Sequence, residues 1–299
     1  MELLRYNKIS FTIKKKGFLL MNIINAVINL VQNPITQLVN YYQGKNRANN
    51  AGDALEEYVK DIFANSFDMS ETERLEQLNM VFSYLGNNSN PPDAIIRNGD
   101  AIEVKKIESD NAALALNSSY PKHTILSSSP MISSACKDAE NWTEKDIIYI
   151  VGVVKQNHLK HLCMVYGLDY CASEECYSRI KDTIKNGVEA IPDVKFAESR
   201  ELGHINKVDP LGITYMRIRG MWGIENPWKV FNYVYTRDMS KEFTFMCIIN
   251  EIKWNTLSNI QKLYDLTQVT PELSITDIRI KNPDNPAQLN NAKLICFNK

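Results

Sequence analysis

Asp93, Glu103 and Lys105 are the residues of this chain whose types and spacing could do chemistry together. Nine residues separate the two carboxylates, and Val104 alone separates Glu103 from the lysine. Two carboxylates brought close hold a hard divalent cation such as Mg²⁺ through oxygen. An adjacent ammonium orients or deprotonates a water beside that cation, or stabilises charge developing on a phosphate. The competing reading is a solvated hairpin with a charged face, which needs none of the three groups to meet.

Whether they meet is a question of register. Residues 90–106 read as a β-hairpin, because apolar runs at 94–96 and 101–104 flank Asn98-Gly99, a strong turn dipeptide. A two-residue loop pairs Arg97 with Asp100 and Asp93 with Val104. Asp93 then turns away from Glu103 and Lys105, because side chains alternate faces along a strand. One extra loop residue, or a bulge at Gly99, pairs Arg97 with Ala101 and Asp93 with Lys105 and sets all three groups on one face. The odd-length loop is the expected register.

The neighbouring elements must hold that hairpin. Ile23, Ile24, Val27, Ile28 and Val31 recur at helical spacing. Residues 52–65 read as a helix with Leu55, Val59, Ile62 and Phe63 in one stripe; Glu56 borders the stripe and Glu57 lies almost opposite. Residues 80–85 read as a strand leading into the hairpin, and 135–142 as a helix. The nearly continuous apolar run 146–154 reads as a buried central strand, with 162–166 as its neighbour. Residues 108–134 form a polar loop rich in Ser and Asn, and 173–185 a charged helix. Residues 213–219 alternate as a strand carrying Tyr215, Arg217 and Arg219 on one face. The C-terminal part supplies apolar strands at 243–249, 275–280 and 293–297, while Trp222 and Trp228 read as core packing.

Composition bounds the partners. The chain has 299 residues, 44% of them apolar, and a net charge of −1. It holds one large domain or two small ones with a real core. There is no global basic field, so any polyanion site must be a local cluster of Lys and Arg. Six scattered cysteines read as reduced thiols, and no zinc site is expected. Lys14-Lys15-Lys16 before an apolar stretch superficially suggests a signal peptide. Asn22, Asn25 and Asn29 interrupt that stretch, no small-residue cleavage site follows, and it is too short to span a membrane. A cytoplasmic protein without a membrane partner is expected. His158 and His161 could share a helix face but have no third ligand, and His123 and His204 are isolated.

Pro92-Asp93 followed by Glu103-Val104-Lys105 looks like the PD-(D/E)xK signature of metal-dependent nucleases. The surrounding sequence is more specific. The stretches 46–60 (Asn-Arg-Ala-Asn-Asn-Ala-Gly-Asp onward), 81–93 and 219–228 (Arg-Gly-Met-Trp-Gly-Ile-Glu-Asn-Pro-Trp) resemble the NgoPII type II restriction endonucleases. The resemblance runs from about Met21 to near the C-terminus. It implies an α/β fold, with a PD-(D/E)xK core of mixed central sheet flanked by helices plus C-terminal DNA-recognition elements. Residues 1–20 would be an extension of doubtful function and 21–299 the endonuclease domain, its catalytic core at about 45–190 and its recognition region at about 200–299. The implied activity is Mg²⁺-dependent double-strand cleavage of unmethylated DNA at a short palindrome, GGCC. Asp93, Glu103 and the Val104 carbonyl would hold the metal, and Lys105 would position or activate the attacking water. Glu56 would be an accessory residue of the first core helix. A site of G and C alone wants arginine, which bonds guanine O6 and N7 bidentately; Arg217 and Arg219 are the candidates, with structural ion pairs as their alternative. Lys106, Asn88 and Asn90 complete the residues expected to touch DNA. A palindrome implies a two-fold homodimer, and host survival implies a cognate DNA methyltransferase. The competing functions are a repair or structure-specific nuclease of the same superfamily and a non-catalytic DNA-binding module.

Overall fold

The computed structural model describes residues 21–299 except 46, 88, 89 and 200. The extension at 1–20 and the candidate Asn88 therefore lie outside the described residues. Helix α1 (Ile23–Gln32) starts at Asn22, whose side chain accepts from the Ile24 and Asn25 N–H groups. It buries the apolar stripe read from the sequence, and α2 (Leu38–Gln43) follows. Helix α3 (Ala51–Ala64) is capped by Asn50, 2.7 Å from the Gly52 N–H, and ends at Asn65, where φ is +52°. Helix α4 (Glu71–Val81) opens on a reciprocal capping box between Ser70 and Glu73. It runs through Met80 and Val81, so the strand expected at 80–85 begins only at Phe82, as β1 (Phe82–Asn87).

The hairpin is β2 (Asn90–Ile96) and β3 (Ala101–Ile107). The expected polar loop at 108–134 is partly ordered as β4 (Leu114–Asn117) and β5 (Thr124–Leu126). The helix expected at 135–142 shrinks to α5 (Ser134–Lys137). Strands β6 (Glu144–Lys155) and β7 (His158–Tyr166) come next, and they correct the helical reading of His158 and His161, which belong to β7. After α6 (Gly167–Tyr170) and α7 (Glu174–Glu189) come β8 (Gly203–Asn206), β9 (Tyr215–Ile218), β10 (Trp222–Ile224) and α8 (Pro227–Val230). The chain closes with β11 (Thr244–Asn250), α9 (Glu251–Trp254), α10 (Ile260–Thr267), β12 (Leu273–Lys281) and β13 (Leu289–Asn298).

The main sheet runs β1-β2-β3-β6-β7-β11-β13-β12, with β5 added beside β6. It is mixed: β3 is parallel to β6 and β7 to β11, and the other pairs are antiparallel. Residues 147–154 are all buried, as a strand covered on both faces requires. On one face α1, α2, α3 and α10 pack over Ile102, Ile148 and Ile150. On the other, Ile95, Tyr149, Val151, Trp228 and Phe231 form a second core. Two ribbons, β4–β10 and β8–β9, lie outside the sheet. Gly152 sets how closely α3 approaches, since a Cβ there would sit 2.7 Å from Leu55 Cδ2.

Helix α3 is fixed from its far end by a buried charge cluster. Asp61 is fully buried and accepts from Arg74 Nε at 2.7 Å, Tyr42 OH at 2.9 Å and Ser66 Oγ at 2.6 Å. Removing one partner of such a pair strands the other charge away from water. Asp61→Ala should therefore cost about 3–5 kcal/mol of unfolding free energy in urea titrations, with the buried Arg74 Nε losing its carboxylate and the guanidinium keeping only Glu57 at 2.5 Å and the more distant Glu71.

Candidate active site

In the hairpin Ala94 stands opposite Ile102 and Ile95 opposite Ala101. The turn is the three-residue loop Arg97-Asn98-Gly99, closed by Gly99 N–H to Ile96 C=O at 2.8 Å and Ile96 N–H to Asp100 C=O at 3.0 Å. Asn98 takes the left-handed conformation, with φ +55°. The expected odd-length loop forms, but one residue earlier, and the register is displaced by two: Asp93 falls opposite Glu103 rather than Lys105. A two-residue displacement keeps side-chain parity, so Asp93, Glu103 and Lys105 still share a face.

The two strands fork at that point. The Val104 N–H donates to the Asp93 carboxylate, 2.6 Å from Oδ2, instead of to a β2 carbonyl. Gly86 of β1 permits the fork: a Cβ there would lie 2.5 Å from the Pro92 carbonyl oxygen and 2.9 Å from that of Asp93. Within the fork Lys105 Nζ donates to Glu103 Oε1 at 2.6 Å. Glu103 Oε2 is buried and has no hydrogen-bond partner. The three side chains line a cleft of about 220 Å³ together with Asn90, Asn117 at the end of β4 and Ser118 just after it.

Burial and the neighbouring Asp93 push the Glu103 carboxyl up to about 7, against the pull of Lys105. Burial also raises Asp93, opposed by Lys105 and the Val104 N–H. Burial would lower the Lys105 ammonium, but Glu103 and Asp93 outweigh it and raise it. Two crowded carboxylates, one with an unpartnered oxygen, fit a divalent cation, whose charge relieves their repulsion. Among the described residues no group of three or more His, Cys, Asp or Glu side chains could hold a metal ion. The donors on offer are thus two carboxylates, plus the Val104 carbonyl nominated from the sequence.

Glu56 borders this site: burial and then Asp93 raise its carboxyl, and Lys105 lowers it. Glu57 is engaged elsewhere, with Lys60 at 2.6 Å and Arg74 at 2.5 Å. Lys106 turns to the opposite side of β3, beside Ala51, and pairs with Glu108 at 2.7 Å. Asn90 Nδ2 holds the Met131 carbonyl at 3.0 Å. Arg217 and Arg219 are exposed on the β8–β9 ribbon, away from these groups in sequence, and both bind Glu201. Arg217 does so bidentately at 2.8 and 2.7 Å, and Arg219 at 2.6 Å. His161 is structural: it bonds Thr244 Oγ1 at 2.8 Å, and burial followed by Arg237 pushes it down to about 4.

Sequence reasoning missed Glu201, Lys122 and the pairing of β4 with β10. That last contact, Trp222 opposite Asn117, ties the cleft to the segment that carries the arginines. Its only sequence signal was the polarity of residues 108–134.

Residues 21–281 match the family model described as NgoPII restriction endonuclease. The chain is 62% identical over 278 residues to the type II restriction enzyme NgoPII of Neisseria gonorrhoeae, covering 93% of this chain and 99% of that relative. No solved structure matches. Because Gly86 leaves room for the Asp93 backbone, Gly86→Ala should weaken the binding of a divalent cation about tenfold or more without removing any donor. Calorimetric titration of the free protein would measure it, a tenfold loss corresponding to about 1.4 kcal/mol.

Proposed function

The chain belongs to the NgoPII restriction endonuclease family, and from that membership we propose how its own residues perform the cleavage. It is a type II site-specific deoxyribonuclease, hydrolysing phosphodiester bonds in duplex DNA. The proposed target is unmethylated GGCC, cut in both strands by a two-fold symmetric homodimer with one active site per strand. A cognate DNA methyltransferase protects the host genome, and the enzyme works in the cytoplasm. No described helix is long and apolar enough to cross a membrane.

The proposed core is of the PD-(D/E)xK type, spanning about residues 45–190, with recognition elements at about 200–299. Asp93, Glu103 and the Val104 carbonyl hold Mg²⁺, which when bound offsets negative charge developing on the scissile phosphate. The observation that carries this assignment is Glu103 Oε2, a buried carboxylate oxygen without a partner and beside a second carboxylate. Lys105 remains an ammonium because Glu103 and Asp93 raise it. That favours orienting the attacking water and stabilising phosphate charge over taking up a proton. Glu56, at the border of the same space, orients the water from the α3 side.

Arg217 and Arg219 read guanine from the β8–β9 ribbon. Their present partner, Glu201, is a surface residue, and exposed ion pairs of this kind are weak enough to be exchanged. Lys106, Asn88 and Asn90 contribute backbone contacts, with Asn90 also fixing the loop at Met131.

Incubation with a mapped plasmid and Mg²⁺ should give discrete fragments ending at GGCC, and prior methylation of the site should block them. Cutting confined to branched or damaged substrates would instead indicate a repair nuclease. Lys105→Ala should cut about 10²-fold more slowly or worse under single-turnover conditions while retaining duplex affinity; full cleavage by that variant would remove Lys105 from the site. Arg217→Ala should lose about 1–3 kcal/mol of discrimination between GGCC and a one-base variant, read as the ratio of the two affinities.

A further inference from the structure

Lys122 is a largely buried lysine whose ammonium has no anionic partner among the described residues. It is 7% exposed, and among the described residues it forms no ion pair. Its Nζ sits 3.6 Å from the centroid of the Tyr120 ring, and Lys181 of α7 approaches the same ring at 5.9 Å. The Tyr120 hydroxyl is committed to Glu174. Stripping an ammonium of most of its water is costly when no anion meets it, and a cation–π contact returns only about 1–2 kcal/mol. Burial lowers the Lys122 ammonium to about 8, with Lys181 acting in the same sense and Glu174 and Glu103 opposing.

Its location is fixed relative to the cleft. The Lys122 N–H donates to the Tyr149 hydroxyl at 2.7 Å. Tyr149 is the β6 residue paired in register with Glu103 of β3. The segment just before it, residues 115–119, lines the cleft itself. Lys122 thus stands on the Glu103 face of the sheet, close enough to feel that carboxylate, and is tied down by its backbone.

Resting on the nuclease reading above, we propose that Lys122 grips a phosphate flanking the scissile one in the strand being cut. The contact is additional to the hairpin triad, and it supplies the anion that the buried ammonium lacks. A cation already immobilised against Tyr120 loses little side-chain freedom when the phosphate arrives.

Lys122→Met keeps the apolar stem and removes the charge, and Lys122→Arg keeps the charge. With Ca²⁺ replacing Mg²⁺ to measure binding alone, Lys122→Met should bind cognate duplex about tenfold more weakly. Its slope of log affinity against log salt should be shallower by about one. Lys122→Arg should restore both, and melting temperature should not fall in step with affinity. A duplex carrying one uncharged methylphosphonate beside the scissile linkage should weaken the wild-type enzyme. That measurement is made on the wild-type protein alone and stands even if the variant folds poorly; in a folded Lys122→Met the same substitution should add nothing further. Equal affinity and salt slope for wild type and Lys122→Met, or indifference of the wild type to every flanking methylphosphonate, would overturn the assignment alone. A wild-type chain that neither bound nor cut duplex DNA would overturn the nuclease reading with it.

Discussion

Two carboxylates held side by side out of water are the constraint on which the rest of this structure turns. Burial raises the proton affinity of both acids, and Asp93 raises that of Glu103 further. A closed ladder would carry the Val104 N–H to a β2 carbonyl and shut the space between the strands. The fork resists that because the Asp93 side chain itself takes the Val104 N–H, replacing one rung of the ladder with a charge-assisted bond. On the outer side Gly86 lets β1 press against the Pro92–Asp93 backbone. On the inner side β6 pairs with β3 from Ala101 through Ile107 and leaves β3 no freedom to twist away. The sheet and its covering helices act as a vice around an electrostatic strain that a cation would relieve.

The parts legible in the sequence are those set by period. Strand parity alone decides whether Asp93 can face Glu103, so a register wrong by two residues still gave the right face. The loop began one residue earlier because Asn98, not Gly99, accepts the positive φ, a choice between two residues that both tolerate it. The α3 stripe placed Glu56 toward the site and Glu57 away from it, and Glu57 indeed spends its carboxylate on Arg74 and Lys60. The apolar run at 146–154 became the central strand for the same reason: length and continuous hydrophobicity leave few alternatives. The matched family spans residues 21–281, starting where the sequence resemblance began.

What stayed hidden depends on contacts between distant residues. Helix α4 had a local signal, the Ser70–Glu73 capping box, but its last turn runs directly into β1, so no turn residue marked the junction. The polar stretch after the hairpin folds because β4 finds β10, about a hundred residues later, and β5 finds β6. The unpartnered state of Lys122 is likewise a property of its surroundings: a lysine next to a proline and a histidine in sequence gives no hint that Tyr120 will cover it. Glu201 was invisible as a partner because the ribbon that brings it to Arg217 and Arg219 is formed by tertiary pairing of β8 with β9.

Three of the charge arrangements outside the hairpin have energetics that suit different tasks. Asp61 and Arg74 are paired and nearly or wholly buried, which makes them hard to separate and suits them to fixing α3. Arg217 and Arg219 share one carboxylate at the surface, with side chains 46% and 53% exposed, where such a pair is worth little and is screened by salt. On the proposed function this makes them exchangeable donors: Glu201 holds both guanidiniums in place, and guanine edges can replace it at small cost. Lys122 is the third arrangement, largely buried and without an ion pair among the described residues, its ammonium held against Tyr120 and its anion lacking. A chain whose net charge is −1 cannot attract DNA by its overall field. It must do so with local groups whose desolvation has been met in folding or whose present partner is easily exchanged, and those are the two kinds found near the cleft and on the ribbon joined to it.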